Sequence, residues 1–385
     1  MYPKLSDLIN DIFGTNINLP IQSYGFFLAM AFLVAAIVLY YELSRKEKEG
    51  LIKTTTKQIW KDKPLSITEL LISFIIAFII GFKGIFAITK YQYFANNPQD
   101  FLLSTDGSLW GGIVLGSLYT AYLYYRNNFK NKKTPQKVEL IVHASDHTWP
   151  IVFVAVIFGV IGAKFFHWLE NWDEFMADPL DSLLSFAGLT FYGGLIVAAV
   201  AVVFYAKKNK IHWKHIADIV APALIIAYGI GRLGCHIAGD GDWGIVNTLT
   251  KPDWLAFLPD WAWAYNYPNN IINEGIPISG CNGPHCMQLA QAVFPTPIYE
   301  TTMALLIFLI LWWLRKKIKT AGLLFAIYLM FNGFERFLIE SIRVNNVFEF
   351  LGMNVTQAQV ISTLIFLAGL ILFVVLLKSR KPIKA

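Results

Sequence analysis

An all-α, polytopic membrane helical bundle is the fold class this chain predicts, and three observations carry it. Hydrophobic residues make up 56% of the 385 and charged residues only 15%, whereas soluble domains run nearer a quarter charged. The mean hydropathy is +0.50. Apolar runs of about 20 residues, the length a bilayer requires, recur along the chain and number about nine.

The elements follow in order. Span 1, 24–43, opens in SYGFFLAMAF and stops at loop 44–66, which has seven Lys and Arg. Spans 2 and 3, 67–92 and 108–125, are joined by an acidic loop and lead into 126–146, with five more. Spans 4 and 5, 148–168 and 188–206, flank the acidic stretch 170–181 and end before 207–214, with four. Span 6, 215–234, leads into the long polar segment 240–296. Spans 7 and 8, 297–314 and 321–341, are separated by RKKIK, and span 9, 358–377, ends in a basic tail. These five basic segments hold 24 of the 32 Lys and Arg, all on one side of the alternation. The positive-inside rule then places the N-terminus outside and the C-terminus in the cytoplasm. The net charge of +6 is thus a topology signal, and no nucleic-acid partner is expected. The first apolar run continues as a full span, so no cleavable signal is expected.

Segments 81–126 and 162–208 read as two copies of one helical hairpin. Each passes from a glycine-bearing helix through an acidic loop into a helix opening on a Gly-Gly pair. The pairs are Gly111-Gly112 and Gly193-Gly194; Tyr192 precedes the second and Trp110 the first. Residues 240–296 hold Trp243, Trp254, Trp261, Trp263, Tyr265 and Tyr267, which suits an arm on the outer membrane surface or a small cap with an aromatic core. Cys281 and Cys286 lie in CNGPHC, where a disulfide is permitted outside the cell; zinc with His285 is the competing reading and lacks further ligands. No metal and no cofactor are expected.

Charges inside the spans are the informative residues. Arg336, Glu340 and Arg343 fall four and three apart, on one stripe of a helix, and Arg232 lies in GIGRLGCHIAGDGDWG. A charge at mid-bilayer costs about 2.5–3.5 kcal/mol or more, so such groups usually face a functional cavity. Paired arginines suit an anion such as a lipid phosphate; the plainer reading pairs each with a carboxylate on a neighbouring helix. Topology brings the unusual residues to one depth: Tyr24, Tyr192, Arg232 with the following His236, Asp240 and Gly244, Tyr299 with Glu300, and the Arg336 stripe all meet the outer leaflet. Thr296 is expected as the N-cap of span 7 with Pro297 at N1. Gly229 and Gly231 read as helix-packing glycines, Asp242 as a solvated loop residue, and Lys83, Lys164 and Asp218 as intramembrane charges without evident partners.

GRLGCHIAGDGDWG (231–244) resembles the signature of prolipoprotein diacylglyceryl transferases. SYGFFLAMAF (23–32), TFYGGLIVA (190–198), PTPIYE (295–300) and GFERFLIESIR (333–343) resemble further blocks of that family, in order. The span pair within 67–125 looks like an insertion into a single catalytic transmembrane domain, 1–385. The resemblance implies a multi-pass enzyme of the bacterial inner membrane whose site faces the outer leaflet. Its expected activity moves the diacylglyceryl group of phosphatidylglycerol onto the lipobox cysteine thiol of preprolipoproteins, forming a thioether and releasing glycerol phosphate. The catalytic set carried over is Tyr192, Arg232, His236, Asp240, Arg336 and Glu340. The substrate-binding set is Tyr24, Gly193, Gly194, Arg232, Gly244, Tyr299, Glu300, Arg336 and Arg343. The family's histidine before the paired glycines is Tyr192 here, which leaves the base open among Tyr192, His236, Asp240 and Glu340, since a thiol must lose its proton at attack. Cys235 is expected to be structural. A transporter and a non-catalytic lipid-binding relative are the competing functions.

Overall fold

A computed structural model describes residues 1–61, 65–96, 98–127, 135–179, 182, 190–345, 347–350 and 353–379. All nine apolar segments are helical where described. Span 5 was expected from 188, and residues 188 and 189 lie outside the described set. Seven helices are long and apolar enough to cross a membrane. The other two fall short for separate reasons: 109–125 is only 17 residues, and 323–340 carries Glu335, Arg336 and Glu340 in its last turns.

The described chain divides into two compact units. One comprises Tyr2–Gln22 and Thr55–Val142. It begins with α1 (Leu5–Phe13), which closes on Gly14. Strand β1 (Thr55–Lys61), helix α3 (Ile67–Thr89), the short α4 (Tyr91–Asn96) and α5 (Pro98–Leu103), helix α6 (Leu109–Tyr125) and strand β2 (Gln136–Val142) follow; α2 belongs to the other unit. Ser66 caps α3 by accepting from the Glu69 amide, while Glu69 accepts from Ser66, the reciprocal capping box. Strands β1 and β2 pair antiparallel from Thr55↔Val142 to Lys61↔Gln136. Segments 44–66 and 126–146 were expected as loops; the alternation Lys57-Gln58-Ile59-Trp60 and Lys137-Val138-Glu139-Leu140 gives each a strand instead. Residues 62–64 and 128–134 of those segments lie outside the described set.

The other unit, Met1, Ser23–Thr54 and His143–Ala385, holds α2 (Ser23–Lys48), α7 (Thr148–Glu170), α8 (Trp172–Ala177), α9 (Phe191–Lys208), α10 (Trp213–Ala238), α11 (Thr296–Leu314), α12 (Leu323–Glu340) and α13 (Gln357–Ser379). Helix α10 is the centre: it packs on α2 and on α11, and it carries 13 buried residues. Leu39, Leu43, Ile151, Ile216 and Ile219 form one apolar core, and Ile225, Ala304, Ile307 and Leu324 continue it. Apolar side chains facing outward, such as Leu309 and Val375, are what lipid contact requires.

Polar groups close the end of this unit from which α10 starts. Glu42, fully buried, binds Arg45 and Arg315. Asp218 takes Lys46 at 3.2 Å and the backbone amides of Gly322 and Phe325 at 2.9 and 3.1 Å, at the start of α12. It therefore satisfies donors that a helix leaves open. The expectation that Asp218 lacks a partner is corrected by these contacts, and Lys83 and Lys164 are likewise held by backbone carbonyls.

Segment 240–296 is a folded cap, not a surface arm. Trp243, Tyr267, Leu289 and Val293 are its buried core. Short strands β3 (Ile276–Pro277) and β4 (Met287–Gln288) pair within it, and Cys281 is bridged to Cys286, so the disulfide reading holds over the zinc one. A further hairpin, β5 (Val347–Phe350) and β6 (Met353–Thr356), joins α12 to α13.

Candidate active site

Helix α10 ends on Gly239, whose φ of 66° is open to glycine at little cost. The chain turns there and runs on through Asp240 and Asp242, back over Arg232. Gly244 then pairs with the segment leaving α12: it forms a bridge with Arg343, and the Ile245 amide donates to the Ile342 carbonyl at 2.9 Å. A Cβ on Gly244 would lie 2.4 Å from the Ile342 oxygen, so this approach requires glycine. Helix α12 stops at Glu340, and Arg343 thus sits beyond it in an extended segment. The expected helical stripe thus keeps Arg336 and Glu340, while Arg343 lies three residues past the helix end.

Three arginines and three carboxylates meet where these pieces converge. Glu300, on the first turns of α11 and fully buried, lies 3.4 Å from Arg232, 3.4 Å from Arg336 and 3.5 Å from Arg343. Asp242 pairs with Arg232 and, at 2.5 Å, with Arg343. Arg336 also reaches Glu340 at 3.0 Å, one helical turn on. The Tyr228 hydroxyl donates to Glu300 at 2.8 Å and lies 3.4 Å from Glu335. The plain reading of the arginines, that each has a carboxylate partner, is therefore met. Each still keeps N–H groups beyond those that its carboxylates take, and each side chain retains some exposure, between 11% and 22%.

A cavity of about 610 Å³ adjoins this cluster. Tyr192, Arg336, Glu340, Asn345, Phe348 and Thr356 are among its lining residues. Asn345 donates to Glu340 at 2.5 Å and fixes that carboxylate between an amide and a guanidinium. Tyr192, on the first turn of α9, is brought to the same wall as Arg336 and Glu340, as the shared depth of spans 5 and 8 implies.

Other expected residues have different surroundings. Gly193 and Gly194 are buried in the α7–α9 contact, where a Cβ would strike Phe166 and the Gly159 oxygen, and they permit this close helix approach. Gly229 is a packing glycine against Ala304, as expected, whereas a Cβ on Gly231 would meet nothing within 4 Å. His236 turns away into the cap: its Nδ1 is 3.1 Å from the Tyr267 hydroxyl, and its ring packs on Trp261 and Tyr265. Tyr299 donates to the Trp263 carbonyl at 3.3 Å and so ties α11 to the cap. Tyr24 lies over Gly234 of α10. Thr296 is helical, with Pro295 at the N-cap, and its hydroxyl donates to the Asp242 carbonyl at 2.8 Å.

Asp242 corrects the expectation of a solvated loop residue. Burial works to raise its pKa, but Arg232 and Arg343 outweigh that, and it is held below the ordinary carboxylate value. Asp240, two residues earlier, is shifted the other way, raised by burial above all. The two acids of the signature loop thus have opposite electrostatic settings: Asp242 is a fixed counter-ion, and Asp240 a carboxyl that resists ionisation. Sequence reading took Asp242 for a solvated residue and did not single out Tyr228 or Glu335, which lie within α10 and α12 where no local pattern marks them.

The family pattern described as prolipoprotein diacylglyceryl transferase matches residues 12–144 and 132–375. Among relatives, a phosphatidylglycerol–prolipoprotein diacylglyceryl transferase of Corynebacterium glutamicum is 30% identical over 59% of this chain and 69% of its own. One of Staphylococcus xylosus is 27% identical over 74% and 92%, and one of Staphylococcus aureus 31% over 58% and 72%. With its matched residues taking in most of its length and its signature loop folded over the arginines, the chain belongs to the prolipoprotein diacylglyceryl transferase family.

Proposed function

We propose that the arginine–carboxylate cluster and its cavity transfer the diacylglyceryl group of phosphatidylglycerol to the lipobox cysteine thiol of a preprolipoprotein, the first step of lipoprotein maturation. The observation that carries the reading is Arg336, which shares Glu300 with Arg232 and Arg343 on one side and lines the cavity with Tyr192 on the other. The sulfur bonds to the glyceryl carbon as the carbon–oxygen bond to phosphate breaks, and glycerol phosphate leaves with the electron pair. Guanidinium groups suit that leaving group, because negative charge gathers on its oxygens at the transition state. The thiol proton passes to a carboxylate, and Glu340 is the acid among the cavity's lining residues. Tyr192 orients the sulfur or a headgroup oxygen through its hydroxyl. His236, enclosed by aromatic rings, is given no part in the proton transfer.

The membrane is bacterial and the protein crosses it several times. We place it in the inner membrane with the cap, the cluster and the cavity at the outer leaflet, on the basic-residue asymmetry of the loops. Within a single catalytic transmembrane domain, 67–125 is an inserted hairpin, a reading supported by the β1–β2 ribbon that closes its base. The transporter alternative loses its support because Lys83, Lys164 and Asp218 are all committed to local contacts.

Purified protein in phosphatidylglycerol vesicles, given a lipobox peptide, should add one diacylglyceryl mass to the peptide. An unmodified peptide under conditions where a relative works would overturn the activity. Single cysteines at Asp260, in the cap, and Lys208, the last residue of α9, should label with an impermeant reagent from opposite sides. Labelling of both from one side would overturn the orientation.

A further inference from the structure

Part of the cavity wall comes from the chain between α12 and α13. Asn345 stands five residues past Glu340, and Thr356 ends β6 immediately before α13 begins. Thr356 is 7% exposed. Its amide donates to the Gln359 side-chain oxygen at 3.0 Å, and its own oxygen accepts from the Gln359 amide at 3.2 Å, a reciprocal cap on α13. The cap uses the hydroxyl as an acceptor, which leaves its O–H to donate. Asn345 gives Nδ2 to Glu340 at 2.5 Å, and that bond leaves Oδ1 to accept. Gln357, exposed and first in α13, adds an amide with both functions to the same wall.

The chemistry of this wall selects one part of a lipid. Among the described residues, six of the eight that line the cavity have polar side chains, so it suits a head group; an acyl chain there would leave those groups without partners. The wall also offers little to a cation. Glu340 is its carboxylate, and the two oxygens already take Arg336 at 3.0 Å and Asn345. Arg232 and Arg343 share Glu300 with Arg336, which sets two more guanidinium groups against an ammonium. A neutral head whose hydroxyls both donate and accept matches what remains: the Thr356 O–H, the Asn345 oxygen and the Gln357 amide. Glycerol keeps two such hydroxyls when its third is esterified to phosphate.

We propose that Asn345, Thr356 and Gln357 form the head-group subsite of this cavity: they read the hydroxyls of a neutral polyol esterified to the phosphate at Arg336, and so set the class of lipid donor. The proposal rests on the reading of that cavity as the site of transfer.

The full chain in phosphatidylcholine vesicles is given a lipobox peptide and, in turn, the same share of phosphatidylglycerol, phosphatidylethanol or phosphatidylethanolamine. All three donors carry the same diacylglyceryl group and differ only in the head. Wild type should use phosphatidylglycerol with a kcat/KM about tenfold or more above phosphatidylethanol, which lacks the hydroxyls, and phosphatidylethanolamine should be the poorest donor. Gln357→Ala and Asn345→Ala should each lower the phosphatidylglycerol-to-phosphatidylethanol ratio by about twofold to tenfold, the scale of one hydrogen bond. The ratio isolates head-group reading, because a weakened α13 start or a loosened Glu340 slows both lipids alike. Gln357, exposed and outside the Glu340 contacts, supplies the variant that disturbs the fold least. A second readout needs no turnover: glycerol phosphate should bind the protein in detergent more tightly than ethyl phosphate by calorimetry, and Gln357→Ala should reduce that preference. Equal use of phosphatidylglycerol and phosphatidylethanol by wild type, or a ratio unmoved in both variants, would overturn the proposal. Absence of transfer from every lipid would instead remove the active-site reading, and the calorimetric preference would then decide whether the cavity reads hydroxyls, its absence overturning the subsite as well.

Discussion

Glu300 and Arg232 face one another from neighbouring helices, Oε2 to Nε at 3.4 Å, with the carboxylate wholly shielded from solvent. The other oxygen of Glu300 serves Arg336 and Arg343. One buried anion thus gathers three cations that would otherwise repel one another, and it does so at the junction of α10, α11 and α12. Each guanidinium thus has a carboxylate partner, and on the proposed reading the same three groups are already in place for a phosphate.

Removing that anion should cost both fold and function. Glu300→Ala leaves three partly buried guanidinium groups short of a partner, and breaking a buried pair from one side costs about 3–5 kcal/mol. The variant should melt well below wild type in detergent and transfer no detectable lipid. Glu300→Gln keeps the shape and two of the lone pairs and should fall between the two. Wild-type melting in Glu300→Ala would remove Glu300 as the organising residue.

The arginines should not tolerate lysine. Arg232 binds two carboxylates through different nitrogens, and Arg336 does the same with Glu300 and Glu340; a point ammonium cannot span either pair. Arg232→Lys and Arg336→Lys should each lower kcat/KM by about tenfold or more, a loss of roughly 1.4 kcal/mol of transition-state stabilisation or greater. Arg336→Ala should insert normally yet lose transfer. Near-wild-type turnover in Arg336→Ala would exclude its phosphate role.

Most of this architecture is written in the chain, because lipid permits few solutions. The nine apolar runs are helical where described, and Arg232, Arg336 and Glu340, conspicuous as charges in apolar stretches, do meet in one cluster. Glu300 was visible too, from its place beside Pro297 at a helix start. Asp242 was not, since its partners come from α10 and from the chain after α12, and nothing local distinguishes it from Asp240. The β1–β2 ribbon was missed for a similar reason: its charged residues are a topology signal first and a strand pattern second. The surroundings of His236 were not legible either, since only tertiary packing sets it against the Tyr267 hydroxyl.

The two signature-loop acids should give opposite pH signatures. Asp240 has its pKa raised by burial, so its contribution to stability is present at low pH and lost as pH rises through the folded value. Asp240→Asn should therefore raise the melting temperature at pH 7.5 and bring little gain near pH 4. Asp242 is held low by Arg232 and Arg343 against the effect of burial. Its stabilisation is present above the unfolded carboxylate value and lost as pH falls through the folded one. Asp242→Asn should destabilise at pH 7.5 and converge toward wild type in strong acid. Melting curves of both variants across pH 4 to 8 check the signs, and parallel behaviour would contradict the assignment.

Tyr192 stands where the resemblance implies a histidine, and it lines the cavity. A phenol of ordinary pKa about 10 is a poor base at neutral pH, so its value must lie in what its hydroxyl holds. Arg336 and Glu340 line the same cavity; on the proposed reading Arg336 meets the developing charge and Glu340 takes the proton, and a cation nearby favours the thiolate. General-base help is typically worth about 10²–10⁴-fold, and on the proposed reading Glu340 supplies it. Wild type should then be active, and Tyr192→Phe should lose activity without loss of melting temperature. Glu340→Gln should be slower still at every pH in that range. Tyr192→His should stay at or below wild type if orientation is the hydroxyl's task, and should exceed it if a base is what the site lacks. His236→Ala should leave the pH profile unshifted, because its ring belongs to the cap. Rates of these five proteins on one lipobox peptide from pH 6 to 9 separate the cases: full activity in Tyr192→Phe would remove the hydroxyl from the mechanism, and a shifted profile confined to His236→Ala would return the base to the signature loop.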